Sequence, residues 1–136
     1  TRTSKEYSLK SNFAEENESL RSPVISTGNL NEKDVLQSLN SGIYLSNLHY
    51  LNWSDRPGGR ITGMTRYACF WVEDGEIISP IENMRFDDSI YSFFGNNLES
   101  VTNKAHLHPN VGTYDGRELG GVLCPGILLK SFKITL

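Results

Sequence analysis

The sequence has no apolar run close to the roughly 20 residues that a membrane-spanning helix needs. The best candidate, residues 121–129, is short and contains Pro125. No apolar segment of the signal-peptide kind follows Arg2. These absences predict a soluble domain that has no membrane partner.

Positive charge is also scarce, with 13 Lys and Arg against 16 Asp and Glu and a net charge of −3. The basic residues are scattered along the chain, whereas contact with a phosphate backbone requires a dense basic stripe. The sequence therefore predicts that nucleic acid is not a direct partner.

Only two cysteines are present, Cys69 and Cys124, and both have apolar neighbours. A free cysteine in such a setting behaves as a small buried hydrophobe, and one pair is too few for a disulfide framework. Neither cysteine has the electropositive or Gly-rich surroundings that activate a thiol as a nucleophile. We expect both thiols to be reduced, which favours a cytoplasmic location.

Three motifs of catalytic chemistry are missing. The chain has no G-x-S-x-G nucleophile elbow, and the glycine pairs at residues 58–59 and 120–121 lack the lysine of a phosphate-binding loop. It also lacks H-E-x-x-H, in which two helical histidines one turn apart bind zinc and the glutamate acts as a general base.

Histidines are few, and His106 and His108 are the only close pair. On a strand both would face one side, which suits zinc, but a metal site needs a further ligand held nearby. Only Asp115 and Glu118 are available, in a segment that reads as a loose loop. We expect surface histidines rather than a metal site, and we expect His49 to be half-buried and hydrogen-bonded.

Two adjacent carboxylates, Asp87 and Asp88, could act as an acid/base pair. They precede a predicted helix at residues 89–97, where acidic residues favour the positive end of the helix dipole. Helix capping is therefore the preferred interpretation. The sequence predicts no catalytic residue and no metal ligand in this chain, and its substrate-binding residues stay unknown.

The apolar patterns predict a mainly β (α+β) domain of antiparallel sheets, sandwich- or barrel-like, with two short helices. Asn31 is a typical N-cap for the first helix, which ends before Gly42. Asp74-Gly75 joins two apolar runs in a tight hairpin, because this dipeptide accepts the positive φ angles of a type I′ turn. The predicted strands, hairpin arms and loop are residues 43–51 (strand), 67–73 and 76–81 (hairpin arms), 103–116 (polar loop), and 121–123 and 127–136 (closing strands).

The first 31 residues are polar, with few large apolar side chains. We predict an extended arm or linker at residues 1–31 and a single β-rich domain at residues 32–136. Such an arm is ordered only by lying on its own domain or on a neighbour. Because the chain begins at Thr1 without Met, it reads as a fragment or a processed product.

Several segments in order resemble the C-terminal domain of the TldD/PmbA metalloprotease family. They are G-I-Y-L at residues 42–45, F-W-V-E-D-G-E-I at 70–77, P-I-E-N-M-R-F-D-D-S at 80–89 and G-V-L-C-P-G at 121–126. The resemblance covers residues 42–136 and, more loosely, the preceding segment. No single motif is diagnostic, and the specificity comes from their order and spacing.

The resemblance implies that active members carry H-E-x-x-x-H upstream and complete the zinc site with a cysteine in a T-C-G-type turn of this domain. The matching segment here is residues 112–116, where Tyr114 stands at the cysteine position. Tyrosine is a poor substitute for a thiolate ligand, and Cys124 comes too late. This departure implies the PmbA-like branch that binds no metal, or a divergent relative.

For the whole protein, the resemblance implies cytoplasmic proteolysis or peptide processing by a two-subunit assembly. The implied partners are the N-terminal half of the same protein, a paired TldD-like or PmbA-like subunit and a peptide substrate; older naming links the family to modulation of DNA gyrase. This fragment alone is expected to be inactive and to hold no cofactor, with zinc possible in a full-length member or its partner.

An alternative is a non-catalytic peptide-binding or dimerisation module of the same assembly. The aromatic residues could line a groove for an extended peptide that is added to a sheet edge. Unprotected edges could also pair two copies, so a homo-oligomer is possible. The residues proposed for the groove are Tyr44, Tyr50, Trp53, Tyr67 and Trp71.

Overall fold

The computed structural model describes residues 2–10, 20, 22–113, 116 and 119–135. Nine strands in this part of the chain form three antiparallel sheets and no closed barrel, which confirms the mainly β prediction. The sheet orders are β1-β4-β5, β2-β3-β6-β9 and β7-β8. The strands are β1 Gly42–Tyr44, β2 Leu48–Asp55, β3 Arg60–Thr65, β4 Phe70–Glu73, β5 Glu76–Pro80, β6 Arg85–Ser89, β7 Leu98–Pro109, β8 Gly121–Leu129 and β9 Ile134–Thr135.

The chain divides into two compact units. One comprises Thr1–Thr27 and Ala105–Pro125, and the other comprises Gly28–Lys104 and Gly126–Leu136. Strands β7 and β8 contribute residues to both units. The sequence-based boundary between an arm at 1–31 and a domain at 32–136 stays a prediction.

Helices are short. Helix α1 is Arg2–Glu6, within the segment predicted as an extended arm. The Asn31 prediction is confirmed, because its side chain accepts a hydrogen bond from the Lys33 N–H at the start of a 3-10 turn that leads into α2, Val35–Leu39. Helix α3 is Ile90–Phe93, with Ser89 as its N-cap. No helix in the described residues is long and apolar enough to cross a membrane.

The β4–β5 hairpin forms as predicted. Its turn residues Asp74 and Gly75 have φ angles of 51° and 76°, as a type I′ turn requires. The turn is also held from outside the hairpin, since the Gly75 N–H donates to the Asn40 carbonyl oxygen and the Gln37 amide donates to the Gly75 carbonyl oxygen. The residues of the turn and the hydrogen bonds at its α2 side therefore favour the same conformation of the turn.

Three strand predictions were wrong in extent. The predicted strand 43–51 is broken into β1 and β2, and β2 continues past the predicted end to Asp55. The predicted loop 103–116 begins as strand, because β7 runs to Pro109. Strand β8 is continuous through Pro125, where two separate closing strands were predicted.

The buried core lies in the larger unit and centres on Phe86, which is fully buried in β6. Its ring lies 5.0 Å from the ring of Phe132, which in turn stacks on Phe93 at 5.5 Å. Strand β3 places Gly63 directly opposite Phe86, and a Cβ at Gly63 would lie 2.9 Å from the Phe86 ring. A small residue here therefore leaves room for the aromatic core. The buried hydrophobic residues are Cys69, Val72, Phe86, Phe93 and Leu128.

The segment after residue 22 pairs with strands, as expected of an arm ordered by its own chain. In the smaller unit the Ile25 N–H donates to the Leu123 carbonyl oxygen, and the Leu123 N–H donates to that of Pro23. In the larger unit residues 28–30 make three further backbone hydrogen bonds with residues 101–103. Within this segment Val24 also forms a parallel bridge with Leu123, whereas Phe13 lies outside the described residues.

Gly75→Val is expected to lower the free energy of unfolding by about 1 kcal/mol or more, because a β-branched residue is strained at positive φ. A Cβ here would also lie 2.5 Å from the Gln37 amide nitrogen, although that flexible side chain can move. Gly112→Val is the control, since a Cβ at Gly112 meets nothing within 4 Å. Equal urea midpoints for the two variants would contradict the importance of the turn.

Candidate functional site

The histidines lie on strands and not in the predicted loop. His106 and His108 both fall in the exposed part of β7, and His49 lies in β2 with its ring 4.2 Å from that of Tyr50. Among the described residues, no three His, Cys, Asp or Glu side chains are grouped so that they could hold a metal ion. Tyr114, Asp115 and Glu118 lie outside those residues, so the expectation of a chain without zinc stays a prediction.

The two thiols are free, with Cys69 buried and Cys124 half-buried. The Cys69 sulfur lies 3.9 Å from the Asn47 carbonyl oxygen and 3.8 Å from that of Arg66. These contacts connect the turn after β3 with the loop before β2. Cys69 is therefore explained as part of the structure and not as a nucleophile.

Helix capping by Asp87 and Asp88 was the wrong interpretation, because both residues lie in strand β6. Helix α3 begins later than predicted, and Ser89 caps it by accepting from the Tyr91 N–H. The buried Asp88 carboxylate accepts hydrogen bonds from the backbone N–H groups of Ser89 and Lys133. Asp88 thereby fixes the segment that leads into β9.

Asp87 forms an ion pair with Arg60 from the neighbouring strand β3. A hydrogen bond from Ser54 is the main cause that lowers the pKa of Asp87 below its ordinary value of 3.8, and burial opposes this while Arg60 adds to it. A carboxyl group with a lowered pKa is ionised at neutral pH and cannot donate a proton. The lowered pKa of Asp87 therefore disfavours a role as a general acid, and both carboxylates have partners that explain them structurally.

This pKa shift predicts a loss of stability in acid. Because the folded-state pKa is lowered, the ionised Asp87 stabilises the fold above pH 3.8, and that contribution is lost as pH falls through the lower folded value. The free energy of unfolding, measured with urea between pH 2 and pH 7, should fall less steeply in acid for Asp87→Asn than for the unchanged chain. Ser54→Ala and Arg60→Gln should each make this fall less steep too, and an unchanged curve in both variants would contradict the assigned causes.

The five aromatic residues proposed for a groove do not line one wall. Tyr44 and Trp71 belong to one sheet, but the register pairs Tyr44 with Phe70 and Ile43 with Trp71. Successive residues of a strand point to opposite faces, so Tyr44 and Trp71 lie on opposite faces. Tyr50 and Trp53 lie on β2 in another sheet, and Tyr67 lies in a turn.

The turn after β3 holds unusual backbone angles at two successive residues. Tyr67 has a φ of 55° and Ala68 a φ of 36°, a conformation that non-glycine residues rarely adopt. Ser46 donates a hydrogen bond to the Tyr67 carbonyl oxygen, and the Arg66 guanidinium carbon lies 4.7 Å from the centre of the exposed Tyr67 ring. Surrounding contacts thus hold an exposed cation–aromatic pair in a strained turn.

The most distinctive surface is the acidic hairpin, which we define as residues 70–82. It contains β4, the Asp74-Gly75 turn, β5 and the two residues that follow. Strand β5 is the edge of its sheet, and all five of its residues are exposed. The hairpin has no Lys or Arg, and its four acidic residues are all exposed: Glu73, Asp74, Glu76 and Glu82.

No sequence-based prediction identified this surface, although a signal was present in the sequence. No Lys or Arg occurs between Arg66 and Arg85, and four acidic residues fall in that interval. The apolar run at residues 76–81 predicted a hairpin arm but not the exposure of Ile77 and Ile78, because an apolar run does not show which strand is an edge.

The whole chain matches a known protein family. Residues 1–136 match the family model described as the PmbA/TldA metallopeptidase C-terminal domain. No curated protein matches the chain. The solved structure of TldE from Thermococcus kodakarensis is similar in fold, with a TM-score of 0.63 and 18% sequence identity over 82% of this chain.

The chain spans only 23% of the length of that TldE chain. The segments that carried the resemblance, from G-I-Y-L to G-V-L-C-P-G, lie inside the family match. The structural match independently supports the mainly β fold of this domain. The chain therefore belongs to the PmbA/TldD metallopeptidase family, of which it represents the C-terminal domain.

Proposed function

We propose that this chain serves in proteolysis or peptide processing as the C-terminal domain of a larger protein. In this proposal that protein works in a two-subunit assembly, and a TldD-like partner subunit supplies the zinc. The match of residues 1–136 to the metallopeptidase C-terminal domain carries the proposal. The cytoplasmic location and the link to DNA gyrase modulation rest on the resemblance alone and stay predictions.

Two features support a role without zinc for this domain. His106 and His108 are exposed on β7, and the tyrosine at position 114 replaces the cysteine that the resemblance leads us to expect. Zinc sites of catalytic type use three protein ligands held together and leave one position for water. The domain would then contribute binding surface and architecture, and the partner subunit would perform the chemistry.

Co-expression tests this division of roles. The full-length protein and a TldD-like subunit from the same source are purified separately and together, and hydrolysis of an unstructured fluorogenic peptide pool is measured. We expect hydrolysis by the pair, its loss with a chelator and its recovery with added zinc. Replacing the glutamate of H-E-x-x-x-H in the TldD-like subunit should abolish activity, whereas chelator-sensitive hydrolysis by the 136-residue chain alone would contradict the proposal.

The second candidate is a peptide-binding or dimerisation module without a role in proteolysis. The exposed edge strand β5 favours its peptide-binding form, because an unpaired strand edge can accept another chain. Light scattering of the 136-residue chain distinguishes a peptide-binding module from a dimerisation module. A concentration-independent monomer favours peptide binding, whereas a stable dimer favours self-association.

A further inference from the structure

Large apolar side chains on the acidic hairpin are exposed to solvent. Trp71 on β4 is 39% exposed, and Ile77 and Ile78 on the edge strand β5 are 48% and 57% exposed. The register pairs Trp71 with Ser79 and Val72 with Ile77, so Trp71 and Ile77 lie on opposite faces of the hairpin and Ile78 lies at the bulge between them. Together they form an apolar surface that wraps around the edge strand β5. The hairpin is anchored by Val72 on β4, which is fully buried.

Negative charge surrounds this apolar surface, and the described part of the chain shows no ion pair to it. Glu73, Asp74 and Glu76 lie at the turn end of the hairpin, and Glu82 follows β5. The ion pairs that the structure shows for Arg60 and Lys104 use Asp87 and Glu32 instead. A partner that buries Ile77 and Ile78 would therefore gain most if it carried positive charge on both sides of its apolar residues.

The backbone of β5 limits how such a partner can bind. Within the described residues the strand pairs with β4 alone, but a bulge leaves Ile78 without a residue opposite it, and Pro80 has no N–H to donate. A partner strand could therefore form only a short ladder with this edge. Side-chain contacts with Trp71, Ile77 and the acidic residues would supply most of the selectivity.

A second copy of this chain is a poor occupant of the same surface. A symmetric dimer brings identical patches together, so four acidic residues would face the same four from the other copy. Like charges held close together are unfavourable, and nothing on the hairpin neutralises them. Nucleic acid is disfavoured by the same charge.

We propose that the acidic hairpin binds an extended peptide segment whose apolar residues are flanked by lysine or arginine. Apolar residues of the segment contact Trp71 and Ile77 on the two faces of the hairpin and Ile78 at the bulge, and Glu73, Asp74 and Glu76 contact its cationic side chains. This binding needs neither zinc nor a second subunit, so it is independent of the proposed role in proteolysis.

A tryptophan titration tests the proposal directly. The chain has two tryptophans, and Trp53→Phe leaves Trp71 as the only reporter on the hairpin. The probe is a capped seven-residue peptide in which valine and threonine alternate between terminal lysines, and the matched peptide has terminal glutamates. We expect the lysine peptide to change Trp71 fluorescence saturably, and more salt to weaken its binding.

Substitutions on the hairpin should distinguish the contribution of charge to peptide affinity from the contribution of apolar contact. The double variant Glu73→Gln/Glu76→Gln should raise the dissociation constant about three- to tenfold, as expected for two surface ion pairs. Ile78→Lys should abolish saturable binding. The controls are Glu99→Gln, an exposed acid on β7, and Leu51→Lys on the edge strand β2, where Leu51 is also 57% exposed.

Three results would overturn the proposal. They are equal binding of the lysine and glutamate peptides, equal loss of binding in Leu51→Lys and Ile78→Lys, and no fluorescence change with either peptide at millimolar concentration. Circular dichroism of each variant shows whether it is folded. Should Ile78→Lys be unfolded, Ile78→Thr replaces it with the same expectation of weakened binding.

Discussion

Phe86→Ala should lower the free energy of unfolding by about 3–5 kcal/mol, the usual cost of removing a buried aromatic ring. Phe86 is fully buried and contacts Phe132, which itself stacks on Phe93. Removing the first ring therefore leaves a cavity beside the other two. Urea unfolding followed by circular dichroism measures the change.

Phe94→Ala is the matched control for this prediction. Phe94 follows α3 and is 59% exposed, so the same chemical change should alter stability by no more than about 0.5 kcal/mol. A similar loss in both variants would mean that the core does not centre on β6. If Phe86→Ala lowers the free energy of unfolding only slightly, the neighbouring side chains have moved into the space that the ring leaves.

Deleting residues 1–30 is the second change with a large expected effect. It removes five backbone hydrogen bonds, two between residues 23–25 and Leu123 and three between residues 28–30 and residues 101–103. At about 1 kcal/mol net for each bond, the loss should be on the order of several kcal/mol. The melting temperature should fall, and light scattering should show association through the uncovered strands.

The shorter deletion of residues 1–22 is the control, because it leaves all five of those hydrogen bonds in place. We expect its melting temperature and oligomeric state to stay close to those of the full 136-residue chain. If both deletions behave alike, the paired segment contributes no stability and the whole region acts as a linker.

Features that depend on neighbouring residues could be predicted from the sequence. Asp74-Gly75 determines its own turn through backbone conformation, and Asn31 caps the turn that follows it. The order of strands in the sheets could not be predicted from the sequence, because the pairing of β3 with β6 depends on residues that are distant in the chain. This is also why Asp87 and Asp88 were misassigned, since only the β3 neighbour reveals the Arg60 partner.

The same limit applies to the candidate site. The lack of positive charge from residue 67 to residue 84 is visible in the sequence, but the edge position of β5 is not. Apolar runs look alike in central and edge strands, so the exposure of Ile77 and Ile78 required the sheet order. Likewise, the segment 103–109 is too polar to be recognised as a strand until its partner β8 is known.

Metal analysis of the purified chain tests the central claim most directly, namely that this C-terminal domain holds no zinc of its own. The 136-residue chain is incubated with zinc, dialysed and analysed by inductively coupled plasma mass spectrometry beside the variants His106→Ala and His108→Ala. The account predicts no stoichiometric zinc in any of the three samples. One tightly held zinc per chain that is lost in His106→Ala would contradict it.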